Sequence, residues 1–418
     1  MYRCSRSPVL PAVSPTARTP LSLPKRSTGL GNGLPNELLD TIFDHLSRDA
    51  LTRVALVSRR WRANAERLLY FRYYHPRSPA SRLALAYPTV PATTLRCCET
   101  LSARPHLAEY VRRFHVRWET DAVESPLLLL CIAQNIARSL VPMLVHLDSL
   151  ELSFGLAPHL PAFNVALTGI NSYPPFASPS LRTLALHGIG EPPELERVLR
   201  SHPALLHLRL GDYHRALRLE PADVPHLRSF RGYPATAASI LPGRPVQVLS
   251  LVGGELATEE DLAHIATGSV PVRSLDLSGM SVTPRLLRTV SRHLSHVEWL
   301  KVRLALRHTL HYALSGIRLL TALTTVLAAF YNLRDLDLSP TSAVQSDGQN
   351  AVEEERLCVT WMGACPSLRR IIFPSLIEWS LSEAGTWISR CHLGASRRVW
   401  SRRDACAGLP SSRLTMTL

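Results

Sequence analysis

The sequence predicts an α/β protein in two parts, a small three-helix module followed by a solenoid of repeating strands and helices. Two observations carry this expectation. Between Leu34 and Leu69 apolar residues recur at helical spacing in three short runs. From Val111 to Phe373 the pattern φ-x-x-φ-x-φ, with φ apolar, returns at steps of 19 to 36 residues. Such a return is the mark of a repeat array.

The helical part comes first. Pro35 suits the opening of a helix, where its missing N–H costs nothing, and Leu38, Leu39, Ile42, Phe43 and Leu46 follow at helical spacing. Ser47 to Asp49 punctuates, and Leu51, Val54, Ala55 and Leu56 form a second run. Ser58 can cap a third helix that carries Trp61, Ala65, Leu68 and Leu69. Three helices in about forty residues make too small a core to be stable alone. Their apolar surface implies a partner.

In the repeat part, the triplets run from Val111/Phe114/Val116 through Leu181/Leu184/Leu186 and Val272/Leu275/Leu277 to Leu368/Ile371/Phe373. The last two apolar positions of each triplet alternate along a short strand and point to one side. Parallel stacking of such strands, with a helix or loop returning behind, buries them in one continuous core. Helices are expected at Glu194 to Leu199 and at Thr283 to Leu294, and Pro-containing breakers such as His202-Pro203 and Cys365-Pro366-Ser367 mark turns into strands.

Composition bounds the remaining choices. The 418 residues are 46% hydrophobic and 19% charged, as in a folded globular chain. Lys+Arg outnumber Asp+Glu by 47 to 33, a net charge of +14, which would suit a polyanion. The arginines are scattered rather than blocked, so nucleic-acid binding is a minor reading. Lysine occurs only at Lys25 and Lys301. None of the eight cysteines lies in a C-x-x-C, Cys97 and Cys98 are adjacent, and Cys358 and Cys365 stand too far apart for a zinc knuckle. Free thiols in a reducing compartment are expected, hence a cytoplasmic or nuclear location. No secretory signal is read at the N-terminus. The stretches Leu127 to Leu147 and Ile317 to Phe330 read as buried helices rather than membrane spans.

The spacing Leu34-Pro35-x-Glu37-Leu38-Leu39-x-x-Ile42-Phe43-x-x-Leu46, then Leu51-x-x-Val54-x-Leu56-Val57-Ser58-x-x-Trp61, resembles the F-box motif over about a tenth of the chain. That resemblance implies docking on a Skp-type adaptor, and through it on a cullin. It nominates Leu34, Pro35, Leu38, Leu39, Ile42, Phe43, Val57 and Trp61 as the adaptor-binding residues. The repeats resemble degenerate leucine-rich repeats of the kind found in large fungal F-box families. The Asn or Cys of regular leucine-rich repeats is replaced here by Gly155, Ile189, Tyr213, Met280 and Thr341.

No constellation reads as catalytic. Gly29-Leu30-Gly31-Asn32-Gly33 follows no strand and precedes no P-loop lysine, so it reads as a hinge. His202, His207, His214 and His226 fit no standard zinc spacing. Glu353 to Glu355 suit a helix start. The expectation is therefore a non-enzymatic chain without cofactor or metal. Its boundaries are a disordered leader at 1–32, the F-box at 33–75, a linker at 76–105, the repeats at 106–380 and a basic irregular tail at 381–418. The implied function is substrate recruitment for an SCF-type ubiquitin ligase. A non-ligase F-box scaffold and an Arg-rich nucleic-acid binder are the alternatives. For the unknown protein substrate, alternation along the strands nominates Arg182, His207, Arg209, Asp276 and Asp335 as outward residues.

Overall fold

The computed structural model describes residues 34–74, 92–118, 143–154, 180–187, 195–254, 257–303, 320–321, 323–339 and 351–391. The glycine run at 29–33 and Lys25 lie outside them. Two compact units divide at Leu68 and Leu69.

The N-terminal unit is helical: α1 (Asn36–Asp44), α2 (Arg48–Val54) and most of α3 (Arg59–Phe71). Pro35 is the N-cap of α1, and its carbonyl accepts the first helical bond, from Leu39 N–H at 3.1 Å. Ser47 caps α2 by accepting from Ala50 N–H at 3.3 Å. Ser58 does the same for α3, accepting from Trp61 N–H at 3.1 Å. Leu39, Phe43, Leu51 and Ala65 are buried, and Trp61 meets the Phe43 ring edge-on at 5.5 Å. Arg60 ties the ends of the module together, donating to Asn36 Oδ1 at 2.8 Å and to the Leu34 carbonyl.

The second unit is a sheet-rich solenoid. Among the described residues thirteen strands lie in chain order. They are β1 (Arg72–Tyr74), β2 (Arg113–Trp118), β3 (Ser149–Phe154), β4 (Thr183–His187), β5 (His207–Leu210), β6 (Ser229–Gly232), β7 (Val248–Gly253), β8 (Ser274–Met280), β9 (Trp299–Lys301), β10 (Asp335–Asp337), β11 (Arg370–Ile372), β12 (Ile377–Leu381) and β13 (Trp387–Cys391). β1 to β11 pair in parallel, and β12 and β13 add antiparallel. The returning chain holds α4 (Ala92–Ala103), α5 (Pro105–Ala108), α6 (Leu195–Arg200), α7 (Pro234–Ile240), α8 (Glu259–Ile265), α9 (Pro284–His293), α10 (Thr324–Leu327) and α11 (Ala351–Ala364).

The register follows the apolar triplets. Phe114 pairs with Leu150, Leu150 with Leu184, Leu184 with Leu208, and so on to Leu336 with Ile371. All ten members of this column are buried, so each repeat seals its neighbours. The expected helices are present: Thr283 caps α9 by accepting from Leu286 N–H at 3.2 Å, with Pro284 in its first turn. Of the Leu127 to Leu147 stretch, the part up to Pro142 lies outside the described residues. The Ile317 to Phe330 stretch is only partly described and holds the short α10.

Three of the assigned spans hold secondary structure that the sequence reading does not give them. The sheet starts at Arg72, inside the span assigned to the F-box, because Arg72 to Tyr74 pairs with Arg113 to His115. The linker contains α4, which buries Cys97 and Leu101. The expected irregular tail contains β13, paired with β12 through Trp387 and Leu381. The indoles of Trp379 and Trp387 are buried, so this hairpin closes the end of the core.

One buried charge braces the middle repeats. Arg244 is 1% exposed. Its guanidinium donates to the carbonyls of Asp223 at 2.9 Å, Glu220 at 2.5 Å and Ile240. Burial lowers its pKa, and Asp223 opposes that shift. Backbone carbonyls from two turns are thus gathered on one planar donor.

Candidate functional site

The nominated residues fall into two groups, one on each unit. On α1 the nominated residues separate by angle. Leu38 and Ile42 stand four residues apart on one face, about 100° around from Leu39 and Phe43. Leu39 and Phe43 are 1% and 2% exposed, whereas Leu38 and Ile42 are 50% and 49% exposed. Leu39 and Phe43 therefore hold the helices together and lie inside the unit. Leu34, Pro35, Leu38, Ile42 and Val57 lie at its surface, and Trp61 is half-buried. Leu56, 78% exposed in the turn after α2, belongs with this surface although it was not nominated. Its place in the spacing Leu56-Val57-Ser58 was the available signal. Six exposed apolar residues on so small a unit are suited to burial by another protein.

On the solenoid the register sets the side chains between the core positions in columns. One runs His207, Ser229, Val248 and Ser274; the next runs Arg209, Arg231, Ser250 and Asp276. His207 Nδ1 is 2.8 Å from Ser229 Oγ. Arg209 lies directly beside Arg231. Desolvation lowers the pKa of the Arg231 guanidinium, Asp276 opposes this, and Arg209 adds to it.

Asp276 corrects the outward assignment. It is 3% exposed, its Oδ1 accepting from Ser278 N–H at 2.8 Å and its Oδ2 from Ser250 Oγ at 3.3 Å. Asp337 repeats the arrangement, accepting from Ser339 N–H at 2.9 Å, and pairs with Lys301 Nζ at 2.9 Å. Both aspartates bond the backbone two residues on, a short-range habit of Asp. Asp337 ends β10, whereas Asp276 lies inside β8, where the pairing with β7 shifts register after Ser250, and neither is a free recognition charge. Asp335 is half-buried, 3.8 Å from Arg370, which also holds Glu378 through two hydrogen bonds of 2.6 and 2.9 Å. The side-chain hydrogen bonding to Glu378 is the main cause of the raised Arg370 pKa. Arg182 is exposed but precedes β4 rather than lying within it.

The remaining chemistry-bearing groups have structural surroundings. Glu354 in α11 is buried and accepts from the Trp379 indole N–H at 3.0 Å. Burial pushes the Cys98 thiol up to about 11, and the Cys358 thiol is raised by burial and then by Glu354 and Glu355. Among the described residues no group of three or more His, Cys, Asp or Glu is placed to hold a metal ion. No helix among them is long and apolar enough to cross a membrane.

Comparisons with known proteins give a family-model match for the helical region alone. Residues 32–76 match the model of the F-box-like family. Among solved structures the chain is similar to an internalin (inlF) from Listeria monocytogenes, at 13% identity over 59% of this chain and 82% of that one, with a TM-score of 0.28. It is similar also to the leucine-rich repeat domain of APL1B, at 13% identity over 69% of each chain, with a TM-score of 0.20. At such scores the solenoid is defined by its own ladder. No curated protein matches the chain.

Proposed function

We propose that this chain, which carries an F-box-like region at residues 32–76, is the substrate-recruiting subunit of an SCF-type cullin ubiquitin ligase. F-box domains generally bind Skp-type adaptors, and the observation that supports docking here is the split on α1. Leu39 and Phe43 close the inside of the unit, so Leu38 and Ile42 are left over for a partner. Burying such a side chain is worth roughly 1.5–3 kcal/mol, and several together give stable assembly. The solenoid then holds the substrate, and the chain contributes proximity to a transfer carried out by other subunits.

The test is co-expression of the full chain with a Skp-type adaptor and a cullin. A ternary complex that elutes as one species is expected. Stable binding of the adaptor with exclusion of the cullin would replace the ligase reading with that of a non-ligase scaffold.

A further inference from the structure

The N-terminal edge of the sheet carries a row of charge that folding does not require. Each strand from β3 to β11 is entered through one residue whose N–H, together with the next N–H, bonds a single carbonyl of the preceding repeat. Arg182 and Thr183 bond Asp148 O, Arg228 and Ser229 bond Leu206 O, and Arg334 and Asp335 bond Glu298 O. This backbone chain sets the entry residues side by side. Six of the ten, counted from the entry to β2, are arginines: Arg112, Arg182, Arg228, Arg273, Arg334 and Arg369. They enter β2, β4, β6, β8, β10 and β11.

An arginine therefore stands at every second strand from β2 to β10. Strands lie about 4.8 Å apart, so the spacing is about 9.6 Å and the row spans about 38 Å. The interposed entry residues are Asp148, Leu206, Gln247 and Glu298. Leu206 and Gln247 make the same backbone bonds as the arginines, so the guanidiniums are not needed for the ladder. Six arginines less two acids leave a charge of +4 on the row. All but Arg112 are exposed.

Some of this charge is engaged: Arg273 pairs with Glu298 at 3.4 Å, and Arg369 donates to the Pro366 and Leu368 carbonyls. Among the described residues the side chains of Arg182, Arg228 and Arg334 make no hydrogen bond or ion pair. Beside Arg228 an open groove of about 580 Å³ is lined by Leu206, His226, Pro245 and Gln247.

We propose that this arginine row docks an extended acidic segment of a protein partner, with carboxylates at about every third residue. A polyproline-II segment advances about 9.3 Å in three residues, which matches the arginine spacing. Guanidiniums pair well with carboxylates. No entry residue is aromatic, so the row offers no platform for stacked bases. Asp148 and Glu298 would also repel the phosphates of a continuous nucleic-acid strand. The proposal rests on the substrate-recruiting reading and names the partner's chemistry.

The experiment uses the full chain co-expressed with its Skp-type adaptor. Fluorescence anisotropy follows a labelled peptide of Glu-Pro-Pro triplets, its Lys-Pro-Pro counterpart, and a single-stranded RNA of similar length. Binding of the Glu peptide alone is expected, weakening with salt and by about tenfold or more in the triple variant Arg182→Ala, Arg228→Ala, Arg334→Ala. Adaptor co-purification and thermal melting, unchanged in the variant, show that the fold is intact. No binding of the Glu peptide by the wild type, binding indifferent to the triple variant, or tighter binding of the RNA would each overturn the proposal. Loss of the adaptor by the wild type would instead count against the ligase reading.

Discussion

Leu38 and Leu39 are neighbours in the chain and opposites in the fold: half of Leu38 is exposed, while Leu39 is closed into the helical unit. One turn further on, Ile42 and Phe43 repeat the division. The same short helix thus builds its own core with one face and presents apolar surface with another.

This division predicts different failures for adjacent leucines. Leu39→Ala should destabilise the helical unit by about 2–5 kcal/mol through the cavity it leaves. Leu38→Ala should leave helix content and melting unchanged and weaken adaptor retention. Circular dichroism and adaptor pull-down of the two variants check the pair. Equal loss of helix in both would show that Leu38 is core.

At the strand face, Asp276 should behave as a structural residue. Asp276→Ala strands the Ser278 N–H and the Ser250 hydroxyl, costing about 1–3 kcal/mol. Arg182→Glu, at an exposed edge, should change stability little. Chemical denaturation of both variants provides the check. A stable Asp276→Ala protein would restore Asp276 to the recognition surface.

The Arg244 clamp predicts a larger effect. Arg244→Met fills similar volume but leaves the Glu220, Asp223 and Ile240 carbonyls without this donor. A loss of roughly 3 kcal/mol or more is expected, with hydrogen exchange rising first in the turns around Glu220 and Ile240. Unchanged protection there would show that the turns hold themselves.

Lysine scarcity predicts the pattern of self-modification. Lys301 Nζ is held 2.9 Å from Asp337 and 3.4 Å from Ser339, which leaves Lys25 as the expected acceptor. In a reconstituted ligase Lys25→Arg should remove most lysine-linked autoubiquitination while keeping the charge. Undiminished modification would contradict this.

Much of the solenoid was legible because a parallel repeat buries the same position each time, so Phe114, Leu208, Leu300 and Ile371 announce their shared column. The helical unit was legible for the same reason at a different period. Strand alternation alone misplaced Asp276: it predicts which way a side chain leaves the backbone, not whether Ser250 and Ser278 will close over it. β1 went unseen because Arg72 to Tyr74 lacks the leucine triplet. The β12–β13 hairpin went unseen because Trp379 and Trp387 carry its burial, outside the triplet pattern. Nor does helical spacing separate Leu38 from Leu39, since both are apolar and only the packing of α2 and α3 decides which is covered. The arginine row needed the ladder, because repeats of unequal length hide an every-second-strand spacing.

If the exposed face of α1 seats a Skp-type adaptor, the double variant Leu38→Asp, Ile42→Asp should fail to retain it. Two carboxylates in an apolar contact are costly to bury unpaired. The variant, co-expressed with the adaptor, is expected to lose it on purification while the solenoid melts as in the wild type. Retention of the adaptor by a correctly folded double variant would show that the exposed face of α1 is not the docking surface.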